Sequence, residues 1–465
     1  MSKKGFTRRE FLNLSAAVAA GALLVACQAT PSPTVAPTAA PTAEPATATP
    51  VPEPTKPKEK EKVNIALWTH DALYVQFFQS RAPEWAEMHP EYDFTFDIQQ
   101  VPDAQNKILA AFAAGEPVPD LFGIISGVNF STFMKDDLIG QKFVDLTPLV
   151  GDDRPKFVEN TWSKYSANGK IYSIESALCT TAFYYQPTVL EAVGGKEFPG
   201  TWDDFRKLGL EAAKKDVYLS AVDVEGNGTF NIMFMQRGGM FFDENNKFVL
   251  GESPNKDIAI EVLEYLKDGI DNKIWWPASN ADFWGPPLFA AQGEGKVMGL
   301  PSADWWSDFM LKAMAEDQAG KWRLALMPKW TGGGYSAGVF GGTGFSITKE
   351  SKHPDLAWDF LHYAYMNKEN QLKRFEEITY LPTMIEALND PRFTGKTDPY
   401  YGDQVIGEVW SEAAQDMPLT YPSPVYADMN NEFNVQCANV YAGKTKAADA
   451  VDAVVAKTKQ AIADL

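Results

Sequence analysis

Tryptophan placement gives the first hint of chemistry in this chain. All 13 tryptophans lie after residue 62, more than a core of this size requires, and several sit beside polar side chains where loops should begin. Trp68 is followed by His70 and Asp71, and Asp304 precedes the pair Trp305-Trp306. Trp284 lies in Asp282-Phe283-Trp284-Gly285-Pro286, and Tyr335 closes Gly332-Gly333-Gly334 ahead of Gly341-Gly342. Ser126 and Asn129 follow the apolar run Leu121–Ile125. Flat rings beside carboxylate, hydroxyl, amide and imidazole groups suit non-covalent recognition of a ligand with apolar faces and a hydrogen-bonding rim. Core filling is the competing account for any single tryptophan, and Trp85, Trp202 and Trp358 are assigned to it from their positions on helix faces. His70 is evenly balanced between a loop histidine and a ligand contact. Asp71 has the alternative of capping the next helix.

Catalysis and metal binding lack comparable patterns. The chain contains no His-Glu-x-x-His, and its one Gly-x-Ser-x-Gly match, Gly334-Tyr335-Ser336-Ala337-Gly338, lies in a glycine-rich loop with no strand-to-helix pattern around it. Four scattered histidines carry no paired spacing for zinc, and three cysteines rule out a disulfide scaffold. Cys179 and Cys437 read as buried free thiols. The glycine-rich loop before Tyr335 lacks the following Lys-Ser/Thr of a phosphate-binding loop. No catalytic residue, metal or cofactor is expected.

The elements that must position these residues begin after two segments of another kind. Residues 1–27 carry Lys3, Lys4, Arg8 and Arg9, then a moderately apolar stretch from Leu12 to Ala26. Thr7-Arg8-Arg9-Glu10-Phe11-Leu12 resembles a twin-arginine export signal. Leu24-Val25-Ala26-Cys27 resembles the lipobox, whose cysteine receives lipid; an ordinary cleaved signal peptide is the alternative. Residues 28–62 hold nine prolines among Thr, Ala, Lys and Glu and are expected to form a disordered, polyproline-II-biased tether. At ~3.1 Å per residue it would reach on the order of 100 Å. Without the first 27 residues the chain has 38 basic and 60 acidic residues, a net charge of 38 − 60 = −22. Such acidity disfavours nucleic acid and anionic lipid surfaces as partners. No apolar run after residue 30 is long enough to span a bilayer, so membrane association is expected through lipid on Cys27 alone.

Residues 63–465 read as α/β. Val63, Ile65 and Leu67 alternate as a first strand, and a helix with Phe78, Ala82, Trp85 and Met88 on one face follows, with Pro83 expected to kink it or mark its start. Phe94, Phe96 and Ile98 form a second strand, Ile108 to Ala114 a helix ending at Gly115, and Leu121–Ile125 a buried parallel strand. This makes a doubly wound lobe with ligands expected beyond the carboxyl ends of its strands. Thr201-Trp202-Asp203-Asp204 is a capping box opening another helix. Further helices carry Ile258, Val262, Leu263 and Leu266, then Leu356, Phe360 and Ala364, then Val451, Val455, Thr458 and Ile462.

Several segments, in order and spacing, resemble the extracellular solute-binding proteins of bacterial ABC importers, in the sugar-binding branch that includes maltose-binding protein. They are Ala113-Ala114-Gly115-Glu116-Pro117-Val118-Pro119-Asp120, Phe143-Val144-Asp145-Leu146-Thr147-Pro148, and Asn168-Gly169-Lys170-Ile171-Tyr172 followed by Phe183-Tyr184-Tyr185. Pro199-Gly200-Thr201-Trp202-Asp203-Asp204-Phe205, Gly293-Glu294-Gly295-Lys296-Val297-Met298 and Lys352-His353-Pro354-Asp355-Leu356-Ala357-Trp358-Asp359-Phe360 continue the match. Gln186, Pro187 and Glu175 depart from the pattern, Glu175 where proline is usual. The resemblance implies a two-lobe periplasmic-binding-protein fold, each lobe a doubly wound sheet with flanking helices, joined by three hinge crossings. By position lobe one is 63–177 plus 343–385, and lobe two is 178–342 plus 386–465. It implies a monomer, anchored outside the cytoplasmic membrane, that captures a carbohydrate and delivers it to permease subunits. Trp68 and Trp305 correspond to cleft-lining positions and are expected to stack on sugar faces from opposite lobes. His70, Asp71, Ser126, Asn129, Trp284, Asp304 and Tyr335 complete the expected contacts. Polyols, glycerol phosphodiesters and polyamines are alternative ligands; a surface adhesin or carbohydrate-active enzyme is a more distant reading.

Overall fold

A computed structural model describes residues 59–465. The export signal, Cys27 and nearly all of the proline-rich tether lie outside the described residues. The first sheet starts with Glu61–Thr69 (β1), Tyr92–Gln100 (β2) and Leu121–Ile125 (β3). β1 runs parallel to both neighbours, with Val63 opposite Phe94 and Leu67 opposite Leu121. A small hairpin follows, Ser166–Ala167 (β4) with Lys170–Ile171 (β5), and then Ile174–Glu175 (β6). Next come Thr181–Tyr185 (β7), Ser220–Asp223 (β8), Trp275–Ala278 (β9), Gly299–Ala303 (β10) and Arg323–Ala325 (β11). The chain then returns as Thr343–Ile347 (β12) to complete the first sheet, in the order β2-β1-β3-β12-β6.

Both halves of the molecule use one strand plan. In the first sheet three parallel strands are followed by β12, antiparallel to β3, and then β6, antiparallel to β12. In the second half β8 and β9 are parallel, and a parallel bridge between Tyr218 and Val297 links them to β10. β7 runs antiparallel to β10, and β11 antiparallel to β7. The order β9-β8-β10-β7-β11 therefore repeats the first sheet's sequence of directions. Such sheets leave the carboxyl ends of their parallel strands open to a ligand.

Local signals account for most element ends. The helix Ala72–Glu87 starts where the Asp71 carboxylate accepts the Leu73 amide at 2.8 Å, so Pro83 lies inside this helix and does not mark its start. The helix Ala104–Ala114 stops at Gly115, whose φ of 67° is left-handed. Thr201 Oγ1 accepts the Asp204 amide at 3.1 Å and opens the helix Trp202–Ala213. Trp85 and Trp202 are buried as expected of core residues, whereas Trp358 is half-buried, its ring 5.7 Å from that of His362.

The β7–β10 pairing leaves no room for a side chain at Gly299. A Cβ there would lie 1.9 Å from the Tyr184 carbonyl oxygen, a backbone atom that no rotamer change can move. Gly299→Ala should cost about 3 kcal/mol or more, read as a lower midpoint in urea unfolding.

Candidate functional site

Two crossings between the halves run side by side. The Ser176 amide donates to Thr343 O at 2.9 Å, Phe340 N to Cys179 O at 2.9 Å, and Thr181 N to Gly338 O at 3.1 Å. Cys179 adopts φ 54°, in the left-handed region where a non-glycine residue is unusual, facing Gly341 and Gly342 at 82° and 132°. A third passage, Tyr380 to Met384, follows the helix Lys368–Ile378. It leads toward the helix Ile406–Gln415, which packs on β7 and β11.

A cavity of about 320 Å³ opens beside these crossings, within the size range of small-molecule sites. The turn after β3 supplies Ile125 to Asn129, and the second crossing supplies Val339, Phe340 and Gly341. Asn227, Asn231 and Met235, the segment Gly239–Phe242, and Leu419–Pro422 with Tyr426 and Asn430 line the remainder, together with Lys164. Asn227 donates through Nδ2 to both Asn430 O, at 3.2 Å, and Asn430 Oδ1, at 3.0 Å. Because a backbone carbonyl can only accept, the Asn227 amide has one orientation, and its Oδ1 then accepts Asn231 Nδ2 at 2.9 Å. A second cavity of about 180 Å³ adjoins the first through Ile125 and Asn129 and is lined by His70, Asp103, Gln105 and Asn106.

Charge is handled inside the hinge. Lys164, 4 % exposed at its side chain, is ion-paired with the fully buried Glu175 and donates to Leu178 O at 3.3 Å. Burial pushes the Glu175 carboxyl up to about 7, opposed by Lys164. Asp304 accepts the Leu381 amide at 2.8 Å while Arg374 donates to the Leu381 carbonyl at 2.9 Å, so one residue of the third passage is gripped from both sides. Burial pushes Asp304 up to about 6, against the Leu381 and Trp305 amides and the nearby cations, and lowers the Arg374 guanidinium from its usual value.

The expected contacts fall into three groups. Ser126 and Asn129 line the larger cavity, and Asn129 and His70 the smaller. His70 meets Tyr74 edge-on at 6.1 Å, and desolvation lowers its imidazole from the ordinary value despite Asp71. Ser126 does not present its donors as the turn suggested: its amide goes to Gly342 O and its hydroxyl to Gly341 O, both at 2.9 Å. Trp284 and Trp305 lie together, their rings 16° from parallel with centroids 6.3 Å apart, and Phe340 stands 5.5 Å from Trp305. Trp305 Nε1 donates to Phe340 O at 2.9 Å, which joins this aromatic group to the cavity wall. Tyr335 is 37 % exposed and held by its amide on Gln236 O at 2.7 Å.

Three expectations are corrected. Trp68 does not face either cavity; it alternates onto the side of β1 that packs against Ile108 and Phe122, with Lys107 Nζ 4.0 Å above its ring. Asp71 is a buried cap that also accepts the Tyr380 hydroxyl. Asp304 is not on a rim, because it continues the wholly buried strand β10 into the hinge. Lys164, Asn227, Asn231, Phe340, Tyr421, Tyr426 and Asn430 were not singled out from sequence. Gly226-Asn227-Gly228 after β8 and Phe340 ahead of Gly341-Gly342 were the available signals, turn residues at strand ends. Cys179 and Cys437 are free and buried, and burial pushes Cys437 up to about 12.

Residues 81–399 match the model of the bacterial extracellular solute-binding protein family. The chain belongs to this family. Among relatives of this solute-binding protein, the arabinooligosaccharide-binding protein of Bacillus subtilis (strain 168) is 30% identical over 325 residues, covering 69% of this chain and 73% of the relative. The arabinooligosaccharide-binding protein of Halalkalibacterium halodurans is 26% identical over 385 residues, covering 81% and 84%. The fold is shared with the ABC transporter associated binding protein of B. animalis subsp. lactis Bl-04, solved with beta-1,6-galactobiose. That structure has a TM-score of 0.67 at 21% identity, with 86% of this chain and 97% of that chain covered.

The structural assignment of Asp71 separates from a binding role by measurement. Asp71→Ala removes a helix cap and orphans the buried Tyr380 hydroxyl, so ligand-free stability should fall by roughly 2–4 kcal/mol. Ligand affinity measured well below the melting temperature should change less than about threefold, within 0.7 kcal/mol.

Proposed function

We propose that this solute-binding protein captures an uncharged oligosaccharide between two closing lobes outside the cytoplasm and delivers it to the permease of an ABC importer. The observation that carries this reading is the make-up of the larger cavity: asparagine amides and tyrosines set among apolar residues such as Phe241, Phe242 and Phe340, with Lys164 its only charged lining residue, ion-paired with Glu175. A polyamine site needs facing carboxylates and a phosphodiester site needs free cations. This lining offers neither. Relatives named for arabinooligosaccharide binding support a pentose oligosaccharide as the first candidate.

In this reading Phe340, Trp305 and Trp284 form an aromatic wall on one side of the ligand. Asn129, Asn227, Asn231 and Asn430 offer planar polar groups for its hydroxyls, and Tyr335 stands near the mouth. His70 and Asn129 extend the site into the smaller cavity. The lobes divide at 63–177 plus 343–385 and 178–342 plus 386–465, and closure turns on the crossings described above. The protein works as a monomer and releases its ligand unaltered, with no catalytic step.

Arabinotriose at 100 times its dissociation constant should stabilise the protein by ~2.7 kcal/mol, read as a rise in melting temperature. Trp305→Ala should weaken this binding by roughly 30-fold or more. Absence of any shift across neutral pentose and hexose oligosaccharides would refute the reading.

Anchoring is a separate proposal. Cys27 carries lipid, and the proline-rich segment tethers the body to the outer face of the membrane. Cys27→Ala should move the protein from the membrane pellet to the soluble fraction with its melting temperature unchanged.

A further inference from the structure

The Lys164–Glu175 pair lies at the seam of the hinge and the cavity. Lys164 lines the cavity, whereas Glu175 is wholly enclosed at the end of β6. A Cβ at Gly342, in the facing crossing, would lie 3.0 Å from both Glu175 Oε2 and Lys164 Nζ, so the pair is roofed by backbone. Its charge is therefore poorly screened by water and acts across the cavity at low effective dielectric.

We propose that Glu175 sets the charge selectivity of the binding cavity. With Glu175 ionised, Lys164 is compensated and the cavity favours uncharged saccharides. With Glu175 neutral, the same cavity carries an uncompensated cation and favours a saccharide bearing a uronate carboxylate. This rests on the proposed function, since it concerns the ligand class of that same site.

The electrostatic surroundings make neutral Glu175 accessible. The groups facing it are Lys164, Tyr165, Cys179, Asp304, Tyr365 and Arg374. The tyrosines and the thiol are all pushed upward by burial and stay neutral, leaving two cations against two carboxylates. Burial pushes the Glu175 carboxyl up to about 7, so it takes a proton as pH falls from 8.0 to 6.5, while a sugar uronate stays ionised over that range. Asp304, at about 6, begins to titrate at the lower end and changes the field in the same direction. His70 in the adjoining cavity is lowered by desolvation and stays mostly neutral there.

The test compares two probes by calorimetry at pH 8.0 and 6.5: arabinotriose, and a trisaccharide in which one ring is a uronic acid. In wild-type protein the affinity ratio of uronate to neutral probe should rise roughly three- to fivefold on acidification. Glu175→Gln should raise that ratio roughly tenfold at pH 8.0 and leave only the small rise on acidification that Asp304 contributes. If this variant fails to fold, Lys164→Met serves instead and should remove most of the pH dependence. A flat ratio in wild-type protein overturns the proposal, as does a pH dependence as large as wild type's that survives either variant. Loss of neutral-probe binding by wild-type protein would overturn the functional reading and the inference together, whereas the other failures touch the inference alone.

Discussion

The hinge depends on burying four charges at once. Lys164, Glu175, Asp304 and Arg374 are each 4 % exposed or less. The first two tie the turn before β4 to the first crossing, and the other two tie the end of β10 and the helix Lys368–Ile378 to the third passage. Desolvating charged groups costs several kcal/mol per ion, and an apolar replacement of matching shape is often no less stable. What such a cluster supplies is directional: an ammonium on Leu178 O, and a carboxylate and a guanidinium on the two polar atoms of Leu381. Asp304 Oδ1 and two Arg374 nitrogens have no protein partner, so the set is balanced in charge yet not saturated in hydrogen bonds. Because the folded state holds Glu175 near 7, above its unfolded value, it binds the proton more tightly than the unfolded chain does. Glu175 therefore detracts from stability above pH 7, and the penalty disappears below the ordinary carboxylate range.

The two sheets place that hinge at the ligand. Parallel strands in each half end toward the crossings, and residues following them, Ser126 to Asn129 after β3, Asn227 after β8 and Trp305 after β10, converge on the cavity or its wall. Ser126 shows how closely site and hinge are joined. It lines the cavity while giving both of its donors to Gly341 and Gly342. A movement of the second crossing is thus a movement of the cavity wall, as expected for closure around a bound solute.

Legibility in the sequence followed the range of the interaction. Val63, Ile65 and Leu67 alternate because one face of β1 is buried, and Gly115 ends its helix because it alone tolerates the left-handed turn at no steric cost. Those are short-range effects, readable within a few residues. Trp68 shows the limit. It lies inside β1 two residues before His70, so alternation points both toward the helix Ala104–Ala114. Trp68 is covered there by Lys107, while His70, just past the strand's end, reaches the smaller cavity at the start of that helix.

By itself the sequence determined the α/β pattern, the strand and helix positions, the capping at Thr201, the acidic and proline-rich character of the chain, and the segments that resemble the family. It also pointed to Ser126, Asn129, His70, Trp284 and Trp305 as residues near strand ends. Only the tertiary structure decided which of these meet, because the cavity is assembled from residues 125–129, 227–242, 339–341 and 419–430, segments far apart in the chain. Only it could turn Asp304 from a surface carboxylate into a buried hinge group and bring Lys164 to Glu175 beneath Gly342. Side-chain type sets what a residue can bond to, but burial and partners are set by chain paths that local sequence does not encode.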